Sequence, residues 1–252
     1  MLPFRIGNSL GNSSFTRADL VLIAPADIDA WDQTLGGLET YCSALARLTS
    51  GQSSADFAAA AESLAGEVQS LGRAVKSTSL PGASGAGAAV IEIGTLLLQH
   101  KAAADAREIA READSRFQFI IKDLIESLGY AGDPPRPGTQ GILPTYSLAY
   151  RVATEENRAI TFKDEAIAGF GTMDREKKLA AIQRFVDWIA TEQEHDRFVV
   201  SMDLLVAALQ KTAQAHAMLA HGSREDLAKQ FAELQTQVKS TIAVYHQLKK
   251  GE

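Results

Sequence analysis

One cysteine, few aromatic rings and no long apolar run set the first limits on this chain. Cys42 stands alone, which rules out an intramolecular disulfide and a site built from several thiolates. It falls in a helical pattern, where a lone thiol acts as a small core residue, and it leaves cytoplasm and periplasm equally open. The most apolar run, residues 85–98, is too short to span a bilayer and contains Glu92. Lys and Arg are spread along a chain of net charge −6, with no basic patch or stripe, so a nucleic-acid partner is not expected. Catalytic signatures are absent as well: no G-x-S-x-G elbow, no P-loop and no H-E-x-x-H. The glycines of residues 82–87 follow no strand and precede no Lys-Ser/Thr pair, so they form no phosphate cradle. No cofactor is expected.

What is present is helical periodicity. Hydrophobic residues make up 46% of 252 positions, enough for a substantial core. Aromatics supply only 7%, and alanine fills many apolar positions, so helices are expected to approach closely. A first helix begins near Pro25, a residue suited to a first turn. Its stripe is Ile28, Trp31, Leu35, Leu38, Cys42, Leu45 and Leu48, a coiled-coil-like pattern. Gly36 and Gly37 each cost about 1 kcal/mol against alanine there, and a close neighbouring helix is the expected return. A second helix carries Phe57, Ala61, Leu64, Val68, Leu71 and Val75.

The stretch from Gly87 to Gly129 contains no proline and reads as one continuous spine, roughly 60 Å long at ~1.5 Å per residue. Its small-residue beginning has two readings, a helix start squeezed between neighbours or a membrane-inserting tip. Lys101, Arg107, Glu108, Arg111, Glu112, Asp114 and Arg116 mix both signs and read as a solvated face. Residues 131–144 form a Pro/Gly-rich loop. Beyond it, a helix runs from about Tyr146 to Ala168, and Gly169 ends it. A second long helix from about Asp174 to Leu219 has two apolar stripes. The first is Leu179, Ile182, Val186 and Ile189; the second is Val199, Met202, Val206, Leu209 and Ala213. Gly222 stops it, and a final helix carries Leu227, Phe231, Leu234, Val238, Ile242, Tyr245 and Leu248.

The expected fold is therefore all-α: an elongated antiparallel bundle of about six helices, two of them long. Residues 1–24 read as a flexible leader, either appended or left when a signal segment is removed. Residues 25–252 read as one helical domain, with halves 25–130 and 145–252 joined by the loop.

The polar interruption at residues 191–197 is the one place where chemistry is expected. The stripe carries Glu192 and Asp196 partly inward, where carboxylates need partners. Folding the chain back about Gly171 and Gly222 brings Tyr146, Tyr150, Tyr245 and His246 to the same level, which predicts a polar layer. Glu192 and His195 also form Glu-x-x-His, which resembles half of the ferritin-like di-iron signature. No second copy exists, because Leu97, Ala213, Met218 and Ala243 stand three residues before the other histidines. A mononuclear metal site of Glu192, His195 and His246 is the form the metal reading takes.

The leading expectation is a non-enzymatic structural or protein-interaction module, with a protein partner or a second copy of itself. Two alternatives are a membrane-active protein of the pore-forming type, inserting through residues 80–98, and a metal-binding helical protein. In overall style, long, alanine-rich and helical with a polar leader, the chain is similar to helical bacterial envelope proteins. No diagnostic motif carries that likeness.

Overall fold

The computed structural model describes residues 4–6, 17–20, 25–49, 81–99, 106–131, 136–137, 147–222 and 227–250. The second predicted helix, Phe57 to Val75, lies outside them. Six α-helices carry the described chain: α1 Pro25–Thr49, α2 Pro81–Gln99, α3 Ala106–Leu128, α4 Leu148–Ile167, α5 Arg175–His221 and α6 Leu227–Lys250. A 3-10 turn at Phe170–Thr172 joins α4 to α5. The fold is all-α. Its described strands are two short antiparallel pairs that make no layer: β1 Phe4–Ile6 with β2 Arg17–Leu20, and β3 Tyr130–Ala131 with β4 Arg136–Pro137. Strands were not expected in either place.

Local chemistry sets several of the helix ends. Pro25 opens α1, where a missing N–H costs nothing. Ser147 Oγ accepts the Tyr150 N–H at 3.2 Å and caps α4. Asp174 does the same for α5, accepting the Lys177 N–H at 2.9 Å, and that bond holds its carboxyl below the usual range. Gly169 takes a left-handed φ of 71°, which glycine adopts without steric cost.

The predicted spine is not one helix. α2 ends at Gln99, α3 starts at Ala106, and the chain reverses between them. Arg116 Nε donates to Glu92 at 2.6 Å, and Gly85 lies against Asp123 and Phe119, so α2 and α3 run antiparallel. The reversal lets both helices bury an apolar face, which a lone 60 Å rod could not do. Ala86, Ala89, Val90 and Ile93 close on Ala113, Phe117, Ile120 and Leu124 within one core. Only α5, with 47 residues, is exceptionally long among the described helices.

Packing proceeds by antiparallel neighbours. α3 runs against the C-terminal half of α5, as Arg111 to Ala220, Gln118 to Ala213 and Tyr130 to Asp203 show. α5 returns along α6, where the Thr212 and Thr241 hydroxyls meet at 2.9 Å in the buried seam. α1 lies across α2, α3 and α6, and its Tyr41 reaches His216 of α5. Trp31 stacks on Tyr245 with ring centroids 5.4 Å apart, and Lys249 reaches Asp32 at 2.6 Å. Of the predicted α1 stripe, Trp31, Leu35, Leu38, Cys42 and Leu45 are buried.

The paired glycines of α1 have opposite roles. A Cβ at Gly37 would stand 2.5 Å from Val90 Cγ1, whereas nothing lies within 4 Å of one at Gly36. Gly36→Ala is expected to raise stability by about 1 kcal/mol through helix propensity. Gly37→Ala is expected to lower it by about 1–3 kcal/mol, because a β-branched neighbour held in the core has little room to yield. Urea midpoints of the two variants should move in opposite directions; a shared direction would contradict the close α1–α2 approach.

Gly85 has a similar role beside Asp123, whose carboxyl would collide with any Cβ there. Burial, reinforced by Glu126, pushes Asp123 up to about 6, while the Ala86 N–H opposes the shift. The folded pKa thus exceeds the unfolded value of about 3.9, so the native state holds the proton more tightly. Stability associated with this group is present at low pH and is lost as pH rises through about 6. Asp123→Asn keeps an oxygen for the Ala86 N–H and removes the charge. It is expected to raise the Tm at pH 7.5 and to leave it nearly unchanged at pH 4; equal shifts at both would show that charge is not the cause.

Candidate functional site

The polar node of the molecule is built on α1, α3 and α5 around Asp114. His216 Nδ1 lies 2.8 Å from Asp114 Oδ1, and His221 Nε2 lies 2.9 Å from Oδ2. Gln118 Nε2 adds a third donor to Oδ1 at 3.2 Å and also donates to the Ala213 carbonyl at 3.0 Å. On its other side, His216 Nε2 meets the Tyr41 hydroxyl at 3.0 Å. Phe117 stacks on the His216 ring with centroids 4.0 Å apart and planes 8° apart.

The network fixes its own protonation. A carboxylate only accepts, so His216 Nδ1 carries the proton that goes to Asp114. In the neutral ring Nε2 is then the acceptor, and the Tyr41 O–H donates to it. The bond from His216, then those from His221 and Gln118, holds the Asp114 carboxyl far below the usual carboxylate range against the opposing effect of burial. Burial lowers the His216 pKa, with Asp114 opposing, and burial raises that of Tyr41. The thiol of Cys42, beside Tyr41, is also pushed up by burial and stays protonated.

The sequence Asp–His–Tyr has the connectivity of a base oriented by a carboxylate. Its exposure suits a different task. The His216 side chain is 0% exposed and that of Asp114 17%, while only His221, at 61%, is open to solvent. Tyr41 and His216 meet each other and leave no face for a substrate. The node ties three helices in one register. Next to it, two arginines of α3 close the C-terminus of α5: Arg111 Nε donates to Ala220 O at 2.8 Å, and Arg107 to Gly222 O. Cations at the carbonyl end of a helix satisfy its last acceptors and its dipole together.

Of the residues predicted for a polar layer, the structure describes the side chains of Tyr150, Asp196, Tyr245 and His246. Tyr245 is buried, with its hydroxyl donating to Ile28 O at 3.3 Å, and His246 is exposed beside it. Tyr150 is partly buried and Asp196 is exposed. The side chains of Glu192 and His195, and residue Tyr146, lie outside what is described. The Thr212–Thr241 contact sets His246 level with about residue 207 of α5, roughly 22 Å along the axis from Glu192. The Thr212–Thr241 pairing centres the α5–α6 fold-back near residue 226 and not at Gly222, which displaces the predicted level. Among the described residues no group of three or more His, Cys, Asp or Glu is arranged to hold a metal.

A second feature lies on the outside. α5 enters the core at Phe198; before it, over residues 175–197, Ala181 is the one buried residue among those described. This half of α5 pairs with α4, where Lys163 lies over the Trp188 ring at 4.6 Å. Its apolar stripe, expected to face the core, is open: Leu179 is 59% exposed, Ile182 50%, Val186 52% and Ile189 37%. Phe170, Phe185 and Ile167 of the α4–α5 arm are exposed as well.

No family model, no curated protein and no solved structure matches this chain.

Proposed function

We propose that this chain is a non-enzymatic helical protein that works by binding another protein chain through the α4–α5 arm. The observation that carries this reading is the uncovered stripe of Leu179, Ile182, Val186 and Ile189. Steps of three and four along a helix make a continuous apolar face, and such a face rimmed by charge is the usual form of a helical docking surface. The rest of the molecule supports the same view. The Asp114 node is enclosed apart from His221, Arg107 and Arg111 are spent on the end of α5, and Cys42 is buried and protonated. Among the described residues of the start of α2, Gly85 lies against α3, and Val90 meets Gly37 of α1; no described helix is long and apolar enough to cross a membrane.

The test is site-specific photo-crosslinking in cells that make the protein. A photoreactive residue at Val186 should capture a protein chain, whereas one at exposed Lys239 on α6 should capture far less. Equal capture at the two positions, or none at Val186, would overturn the reading.

A further inference from the structure

We infer that the occupant of the α5 stripe is a second copy of this chain, paired antiparallel about a two-fold axis near residues 184–185. The inference rests on the binding reading above and names its partner. The stripe steps 3-4-3 from Leu179 through Ile182 and Val186 to Ile189, and this spacing reads the same in both directions. Antiparallel pairing therefore sets Leu179 of one copy at the level of Ile189 of the other, and Ile182 at the level of Val186. Every apolar position meets an apolar position, as an isologous interface requires. Phe185, 38% exposed, falls beside the axis and meets its own equivalent.

Charge selects the orientation. Residues 175–178 hold Arg175, Lys177 and Lys178 against Glu176, a net +2. Residues 192–196 hold Glu192, Glu194 and Asp196 with neutral His195, a net −3. Antiparallel pairing brings the basic end of one copy to the acidic end of the other, with positions 178 and 192 flanking the seam within two residues of the same level, roughly 3 Å along the axis. Parallel pairing would set like charges together. An anionic lipid surface would meet the acidic end unfavourably, and so the stripe suits a second copy better than a membrane. The Lys178 ammonium, 5.9 Å from the Phe170 ring centroid, already lies at the rim of this face.

The experiment is sedimentation equilibrium of the full chain. A particle of twice the 27.0 kDa chain mass is expected, reverting to the single-chain mass in Ile182→Asp/Val186→Asp. Both positions are at least half exposed, so folding should survive, and circular dichroism checks that it does. Lys178→Glu should weaken the dimer about tenfold, and adding Glu192→Lys should restore it. The charge-reversal pair keeps the test decisive if the aspartate variant misfolds. A single-chain mass at every concentration would overturn self-pairing, as would a dimer indifferent to these changes. If Val186 then still crosslinks a different protein, the binding reading stands and only the identity of the partner fails. If the chain instead floats with phosphatidylcholine–phosphatidylglycerol vesicles through this stripe and crosslinks no protein, both fail.

Discussion

Asp114→Ala is expected to be among the most damaging single substitutions in this protein, costing about 2–4 kcal/mol. The carboxylate accepts from His216, His221 and Gln118 at once, and His216 has no solvent to turn to. Removing the acceptor leaves a buried N–H unsatisfied, and such a loss carries the full desolvation cost of the orphaned group. Asp114→Asn should cost less, because its amide oxygen still accepts from His216. The acid response of the native chain comes from the same place. The folded pKa of Asp114 is depressed, so its contribution is present above the unfolded value of about 3.9 and is lost as pH falls below that. His216 is also depressed, so the unfolded state binds more protons once pH drops below about 6.5. Both groups act in one direction, opposite to Asp123. The urea midpoint of the native chain should therefore fall as pH drops below about 4, where Asp114 acts, and His216→Gln should lose less stability than the native chain between pH 7.5 and pH 4. An unchanged midpoint in Asp114→Ala at pH 7.5 would show that the node contributes nothing to stability.

The sequence exposed most helix ends because their causes are local. Pro25, Gly169, Asp174 and Gly222 each act on the few bonds around them. The reversal between α2 and α3 was harder to see, since residues 100–105 contain no proline or glycine. A trace of it exists: the apolar stripe jumps from Leu97 to Ala104 across His100 and Lys101. The polar node depended on that reversal. A straight spine gives no reason to set Asp114 against α5, and its mixed-sign neighbours look like a solvated face. His216 sits between alanines, Ala215 and Ala217, and nothing near it in sequence names a partner 102 positions away. The stripe of α5 shows the converse limit. Periodicity established that Leu179, Ile182, Val186 and Ile189 share a face, but a periodic pattern says nothing about what covers that face. From Met202 on the answer is α3 and α6; over Leu179 to Ile189 the face is open.

Phe117→Ala is the other large expected effect. Phe117 is 0% exposed, stacks on His216 and lies 6.0 Å from the Tyr41 ring centroid. Truncating a fully buried phenylalanine costs about 3–5 kcal/mol from lost transfer energy and the cavity left behind. Phe117→Leu should cost markedly less, since it keeps most of the volume. A second consequence separates this position from an ordinary core residue. The ring shields His216 from water, and burial is the main cause of that histidine's lowered pKa. Opening a cavity beside it should let the imidazole titrate nearer to the unperturbed value of about 6.5. In NMR titrations the His216 ring signals of Phe117→Ala should shift at higher pH than those of the native chain. Phe117 and Asp114 act on the same ring, so their losses should not add: a double-mutant cycle should show a coupling of about 0.5–3 kcal/mol. Simple additivity, with no change in the titration of His216, would mean that the aromatic packing and the hydrogen-bonded node are independent.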